Sequence, residues 1–187
     1  MISKTSTGKE FGRITNYVFK KEKKSHVVIA NGVRSGSSES MAKDFERQAA
    51  ARPRVKQKML HITLSFHELD RVQLSVSKEA ILLSWLNALE KKGFPLSQTQ
   101  YAIIEHTNTP HPHFHIVVNM VGNKGDALKS NYIGVKCKLA SIAITKKYGL
   151  TPAKLEERIK AENDIVVSDV QEKENNQKKG QSGRLKR

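Results

Sequence analysis

The stretch HPHFHIVVN, residues 111–119, constrains the fold more than any other part of the chain. In a β-strand, successive side chains point to opposite faces of the sheet. This alternation places His111, His113, His115 and Asn119 on one face and the apolar residues Phe114, Ile116, Val118 and Met120 on the other. The pattern predicts a strand with one face for chemistry and one face for the core.

A second apolar segment, YAIIEH, ends at His106, and residues 107–110 have the composition of a turn. If the two strands pair, His106 lies beside His113 and His115. A single histidine in a strand is usually hydrogen-bonded or exposed to solvent. Three on one face favour a metal site, because each neutral imidazole offers a ring lone pair in a direction that the sheet fixes. His111, nearest the turn, is expected to support the ligands or to face a phosphate.

The 187 residues, 37% of them hydrophobic, suffice for one domain with a sizeable core. We assign residues 1–163 to this domain and 164–187 to a basic, disordered tail, because the last residues are polar and nearly free of aromatics. No apolar run has the length of a membrane span, and the first residues lack a secretory signal, so we expect a cytoplasmic protein without a membrane partner. The single cysteine, Cys137, is predicted to be a small core residue.

The charge of the chain indicates a polyanionic partner. Thirty-three Lys and Arg residues against 18 Asp and Glu residues give a formal net charge of +15. A single charged run is usually a solvated face. Here basic runs recur at 20–24 and 52–58 and in the tail, and this spread favours a nucleic-acid groove.

Helical spacing of apolar residues over RITNYV predicts an early helix carrying Tyr17, followed by Lys20, Lys21, Lys23 and Lys24. A tyrosine beside lysines can meet a phosphate, although on spacing alone a half-buried packing residue is the better interpretation. The segment MLHITLSF alternates cleanly and predicts a central strand with His61 on its polar face. Further patterns predict a loop around Gly8 and Gly12, a strand over 26–33, helices from Ser37 or Ser38 to Ala51, from Ser77 to Gly93 and from Asn131 to Tyr148, and a short helix after Thr151-Pro152.

The succession of Tyr17, HITLSF and EHTNTPHPHFHIVVN resembles the mobilisation relaxases, members of the HUH endonuclease superfamily, over about residues 1–150. The spacing of His106, His113 and His115 matches the three metal ligands of that family. The resemblance implies an α+β fold, an antiparallel five-stranded palm sheet with helices packed mainly on one face.

The resemblance also implies a reaction. In such relaxases an N-terminal tyrosine, here Tyr17, attacks one phosphodiester of single-stranded DNA at the transfer origin. The products are a 5′-phosphotyrosyl link and a free 3′-hydroxyl, and the strand is later rejoined. The family implies Mg or Mn as the divalent metal, whereas imidazole ligands in general suit Mn or Zn better than Mg. Accessory relaxosome and coupling proteins are the further partners that it implies.

One position departs from the family pattern. The family usually carries Asp two residues after its first histidine, where this chain has Asn108, which keeps an acceptor but lacks the charge. If the missing carboxylate helps to orient a histidine or to deprotonate the tyrosine, we expect weaker activity here unless another group substitutes. His61, Asn108 and His111 are the residues expected to surround the ligands, although a solvent-facing position fits His61 equally well.

Three other interpretations stay open. A rolling-circle replication initiator would use a tyrosine after the histidine strand, and Tyr132, followed by Lys136, fits that order loosely. A metal-dependent hydrolase would activate water without a covalent intermediate. A catalytically weak metal- and DNA-binding module would keep the histidines without the reaction.

Overall fold

The structure is a computed structural model that describes residues 1–20 and 24–152. Several predictions fall outside these ranges: Lys21 and Lys23, the short helix after Thr151-Pro152, the domain boundary at 163 and the tail 164–187. They stay predictions.

The described chain alternates strands and helices. The strands are β1 (Ile2–Gly8), β2 (Ser25–Asn31), β3 (Met59–Ser65), β4 (Thr99–His106) and β5 (His113–Gly122), and the helices are α1 (Phe11–Val18), α2 (Ser38–Ala49), α3 (Arg71–Glu90) and α4 (Ile133–Tyr148). Short 3₁₀ turns lie at Glu68–Asp70 and Leu96–Gln98.

The five strands form one antiparallel sheet in the order β1-β3-β5-β4-β2. The histidine strand β5 is the central strand, between β3 and β4. In this register His106 lies opposite His113, and Thr63 lies opposite His115. The predicted α+β class, with an antiparallel five-stranded sheet, is confirmed, as is the pairing of the two strands that bear the histidines.

Helices cover both faces of this sheet. The two long helices, α3 and α4, pack on the face that carries Ile62 and Ile116, with Trp85 and Cys137 in the core between them. The shorter α1 and α2 pack on the other face, where Phe11 and Phe45 stack with ring centroids 4.8 Å apart and bury Ala102, Ile104 and Val117.

The covered second face corrects the expectation that β5 has one face for chemistry and one for the core. Both faces of β5 are buried, and Asn119 is fully buried on the same face as His115. Its side-chain amide donates to the carbonyl of Phe45 and to the side-chain oxygen of Gln100, so Asn119 anchors α2 to the sheet. His113 and His115 lie toward the other end of this face, at the start of β5.

Local sequence signals located most elements. Ser37 caps α2, in a capping box with Ser40, and Gly149 ends α4 in the left-handed conformation. Two predictions were wrong. Ser77 does not start α3, which begins at Arg71 after the 3₁₀ turn, and Gly12 does not belong to a loop but lies in the first turn of α1. The segment before it, for which no strand was predicted, is β1, which pairs along β3.

Within the described part of the chain, none of the helices combines the length and the apolar composition needed to cross a membrane.

The burial of Cys137 yields a prediction for its thiol. The side chain is fully buried between α4 and the sheet, and burial raises its pKa to about 12. Because the thiolate is the reactive species, Cys137 should not react with a disulfide reagent such as DTNB at pH 8 while the protein is folded. One thiol per chain should react in guanidinium chloride, and a rapid, complete reaction without denaturant would contradict the buried position.

Candidate metal centre and nucleophile helix

His106, at the end of β4, and His113 and His115, at the start of β5, meet at one end of the sheet. Each offers a ring nitrogen, and these three atoms lie within 4.8 Å of one another. His106 and His115 are buried, and His113 is partly exposed. The alternation of β5 and its pairing with β4 thus bring together the three side chains that the sequence predicted as ligands.

The protonation pattern of His106 follows from its neighbours. Its Nε2 lies 2.9 Å from the carbonyl oxygen of Val18, and its Nδ1 lies 3.1 Å from Nε2 of His113. A carbonyl oxygen can only accept, so Nε2 carries the proton and Nδ1 has the lone pair. The hydrogen bond to Val18 also ties the last residue of α1 to this histidine.

The second buried histidine, His115, contacts a fourth imidazole. Its Nδ1 lies 2.8 Å from Nε2 of His61 and 3.4 Å from the hydroxyl of Thr63, both on β3. Burial, and then the repulsion of a second charge at His106, lowers the pKa of His61 to about 4, so His61 is neutral at neutral pH. The structure therefore places His61 against a candidate ligand, as the sequence suggested.

The loop between β4 and β5 supports His113. The hydroxyl of Thr109 lies 3.1 Å from Nδ1 of His113 and donates to the carbonyl of His111 at 2.8 Å. That carbonyl lies 3.2 Å from the same ring nitrogen, so His111 supports the ligand through its backbone. Arg71 donates to two carbonyls of this loop, those of Thr109 and Pro110. The side chain of Asn108 is exposed in the same loop.

Tyr17, near the end of α1, lies beside the histidines. Its ring centroid is 5.7 Å from that of His115, nearly perpendicular to it, and 6.4 Å from that of His106. The side chain is 44% exposed, which leaves it accessible to a large substrate. Tyr17 is thus half-buried, as its spacing predicted, and this partial burial is compatible with a role as nucleophile.

A cleft of about 500 Å³ opens next to Tyr17, between β1, α1 and β3. His61 and Tyr17 line it, together with the cationic side chains of Lys9 and Arg13 and the apolar side chain of Met59. Neither Lys9 nor Arg13 was predicted as a site residue from the sequence. The available signal was the spacing of Arg13, four residues before Tyr17, which places both on one face of a helix.

The lysines after α1 were predicted to bind DNA. Lys20 and Lys24 are exposed, and the hydroxyl of Thr107, in the β4–β5 loop, donates to the backbone carbonyl of Lys24.

The alternative tyrosine, Tyr132, immediately precedes α4 and is also 44% exposed. The buried residues Cys137, Ala140 and Ile144 of α4 pack in the core on the face opposite to His115. The structure therefore brings Tyr17, and not the helix that Tyr132 precedes, to the face of the histidines.

The histidine cluster fits a divalent metal ion. Two nitrogens bound at about 2.1 Å and at right angles to one another lie about 3.0 Å apart. The observed separation between Nδ1 of His106 and Nε2 of His113 is 3.1 Å. Three neutral nitrogen ligands leave further coordination positions for substrate oxygens, as a catalytic metal site requires.

The fold and this site define a domain with a candidate metal centre of three histidines beside an exposed tyrosine. The family model of the MobA/VirD2-like relaxase nuclease domain matches residues 17–150, well over half of the 187 residues. The chain therefore belongs to the MobA/VirD2-like relaxases.

Solved structures of the conjugative relaxase TrwC in complex with oriT DNA are similar to the chain at low identity. The metal-bound structure is 14% identical with a TM-score of 0.48, covering 79% of this chain and 68% of TrwC. The metal-free structure is 16% identical with a TM-score of 0.45, covering 82% and 73%. No curated protein matches the chain.

Removing one candidate ligand should abolish metal binding while leaving the fold intact. We expect His113→Ala to weaken Mn²⁺ binding by more than about 100-fold, because loss of a ligand should exceed the 10–100-fold effect of losing a group that only orients one. Isothermal titration calorimetry on the full chain, after chelator treatment, measures this change.

A matched control is His26→Ala, since His26 is partly exposed on β2 and pairs with Glu105 away from the cluster. Equal Mn²⁺ affinities of the wild type and the His113 variant would exclude His113 as a ligand.

Proposed function

We propose that this chain is a DNA relaxase that nicks single-stranded DNA at a transfer origin through Tyr17, and later rejoins the strand, for conjugative mobilisation. One observation carries the proposal beyond the family assignment. The Tyr17 ring, 5.7 Å from that of His115, is brought to the histidine cluster by α1, although the two residues are far apart in sequence.

The proposed reaction is a transesterification. The Tyr17 oxygen attacks the phosphorus, the bond from phosphorus to the 3′ oxygen breaks, and the phenolic proton is balanced by the proton gained by the departing 3′-hydroxyl. The products are a 5′-phosphotyrosyl link and a free 3′ end. Rejoining is the reverse step, with the phenolate as a good leaving group, and neither direction needs an oxidant or a nucleotide.

His106, His113 and His115 would hold the divalent ion, with Mg or Mn proposed from the family. When bound, the ion offsets the negative charge on the phosphate oxygens, and three neutral ligands leave it its full double charge. Other residues of the chain orient the ligands and position the nucleophile. Val18, His61 and Thr109 contact the three rings, and α1 carries the phenol next to them.

The DNA strand is proposed to lie along the cleft beside Tyr17. Lys9 and Arg13 line this cleft together with Tyr17 and one acidic side chain, Glu10, and the exposed Lys20 and Lys24 follow α1 in the chain. Accessory relaxosome and coupling proteins as partners, and a cytoplasmic location, are expectations from the family.

The substitution Tyr17→Phe should remove the covalent DNA adduct and leave metal and DNA binding nearly intact, because only the hydroxyl is lost. Loss of one hydroxyl from a half-exposed tyrosine should cost about 1 kcal/mol of stability or less. A denaturing gel after incubation with single-stranded origin DNA and Mn²⁺ shows the adduct.

Tyr132→Phe is the matched control, since Tyr132 is equally exposed but precedes a helix that packs on the other face. An adduct that persists in the Tyr17 variant and disappears in the Tyr132 variant would support a replication initiator instead. Cleavage without any adduct would indicate a hydrolase, and neither cleavage nor adduct would indicate a binding module.

Binding to single-stranded DNA should weaken steeply with salt. Each phosphate neutralised on a single strand contributes about −0.7 to the slope of log affinity against log salt, so three contacts give a slope of about −2. Fluorescence anisotropy with a labelled oligonucleotide measures this slope.

Arg13→Gln should make the slope shallower by about one contact, while Lys91→Gln, at the far end of α3, should leave it unchanged. A slope near zero in the wild type would contradict electrostatic binding.

A further inference from the structure

His61 contacts a candidate metal ligand through a nitrogen, where metal-bound histidines more often meet a carboxylate, a carbonyl or water. From this contact we infer that His61 is the positioning residue for His115. It fixes the proton of His115 on Nδ1 and so directs the lone pair of Nε2 to the metal. This role rests on the metal site of the proposed function and accounts for the orientation of one of its ligands.

The direction of the hydrogen bond follows from the chemistry of the pair. Two neutral imidazoles 2.8 Å apart need one donor and one acceptor. His61 and Thr63 both lie on the Nδ1 side of His115, so a metal can approach only its Nε2. Binding through Nε2 leaves the proton on Nδ1, and Nε2 of His61 is then the acceptor.

The same logic extends to β1. If Nε2 of His61 accepts, its own proton lies on Nδ1, and that atom is 3.5 Å from the hydroxyl oxygen of Ser6, at the upper limit for a hydrogen bond. Ser6 pairs with His61 in the β1–β3 register, and His61 lies diagonally across from His115 on β5. The series of side-chain contacts from Ser6 through His61 to His115 thus crosses three adjacent strands. The rigid sheet fixes the geometry of these contacts.

A neutral acceptor has a chemical consequence for the metal. A carboxylate at this place would draw the Nδ1 proton away and make His115 a more basic, tighter-binding ligand. An imidazole orients His115 without adding negative charge, so the ion is held less tightly and keeps more of its positive charge for the phosphate. Asn108, where relatives usually carry Asp, is exposed in the β4–β5 loop, while His61 occupies the orienting position beside His115.

Three substitutions at position 61 separate orientation from charge. His61→Gln places a neutral acceptor oxygen near the position of Nε2, and Mn²⁺ affinity should stay within about threefold of the wild type. His61→Leu has no acceptor, and affinity should fall 10–100-fold, as is typical for loss of a group that orients a ligand. His61→Glu supplies a charged acceptor, and affinity should rise about tenfold. His26→Leu, on β2, is the control that should change nothing.

The tautomers can be read in the metal-free protein. Long-range ¹H–¹⁵N spectra of the full chain should show both His61 and His115 protonated on Nδ1, and His115 should lose this single state in the Leu variant. A His115 protonated on Nε2 in the wild type, or a Leu variant that binds Mn²⁺ within threefold of the wild type, would overturn the inference. If the Leu variant does not fold, judged by Trp85 fluorescence, the Glu and Gln variants decide, and equal affinities of these two overturn it.

The outcomes also separate this inference from the proposed reaction. Mn²⁺ binding that depends on residue 61 as stated, without a DNA adduct, would refute the nicking activity and support the positioning role. An adduct that forms, together with an Mn²⁺ affinity that does not depend on residue 61, would support the nicking activity and refute the positioning role. A wild type that binds no Mn²⁺ would refute both.

Discussion

The pairing of β4 with β5 is the constraint on which the site depends. It sets His106 opposite His113, and a slip of one residue would turn every side chain of one strand to the other face. The opposite end of the same pair helps to hold this register. There the buried hydroxyl of Thr99 donates to the carbonyl of Asn119, and the Asn119 amide donates to Phe45 of α2. The polar contacts under α2 therefore fix the metal centre from the far end of the two strands.

The second constraint is the placement of α1. This helix is anchored by the stack of Phe11 on Phe45 and by the buried Val18, whose carbonyl accepts from His106. Tyr17 is exposed between these anchors and turned toward His115. The candidate nucleophile is therefore held in place by its buried neighbours in α1. The candidate ligand His106 and the candidate nucleophile Tyr17 are thus both held by contacts of the short helix α1.

The three rings of the cluster contact a backbone carbonyl, another imidazole and a hydroxyl, all of them neutral. This environment suits transfer of a phosphate, because an ion bound there keeps its positive charge, and the cations of the neighbouring cleft add to it. The fold thus separates two tasks. The buried polar groups orient the ligands, while Lys9 and Arg13, at the surface, are available to the DNA backbone.

The sequence by itself determined the parts that depend on local periodicity. The alternation in β5 and the spacing to His106 predicted the three histidines, and capping signals at Ser37 and Gly149 located two helix ends, because a pleat and a helix cap are local properties of a few residues. Only the tertiary structure decided the rest. That α1 lies over the histidine face, that Asn119 belongs to the core, that His61 meets His115, and that α4 lies on the opposite face all depend on which elements pack together. Such packing is the sum of many weak apolar contacts between segments that are far apart in the chain. No short segment of the sequence is therefore sufficient to predict it.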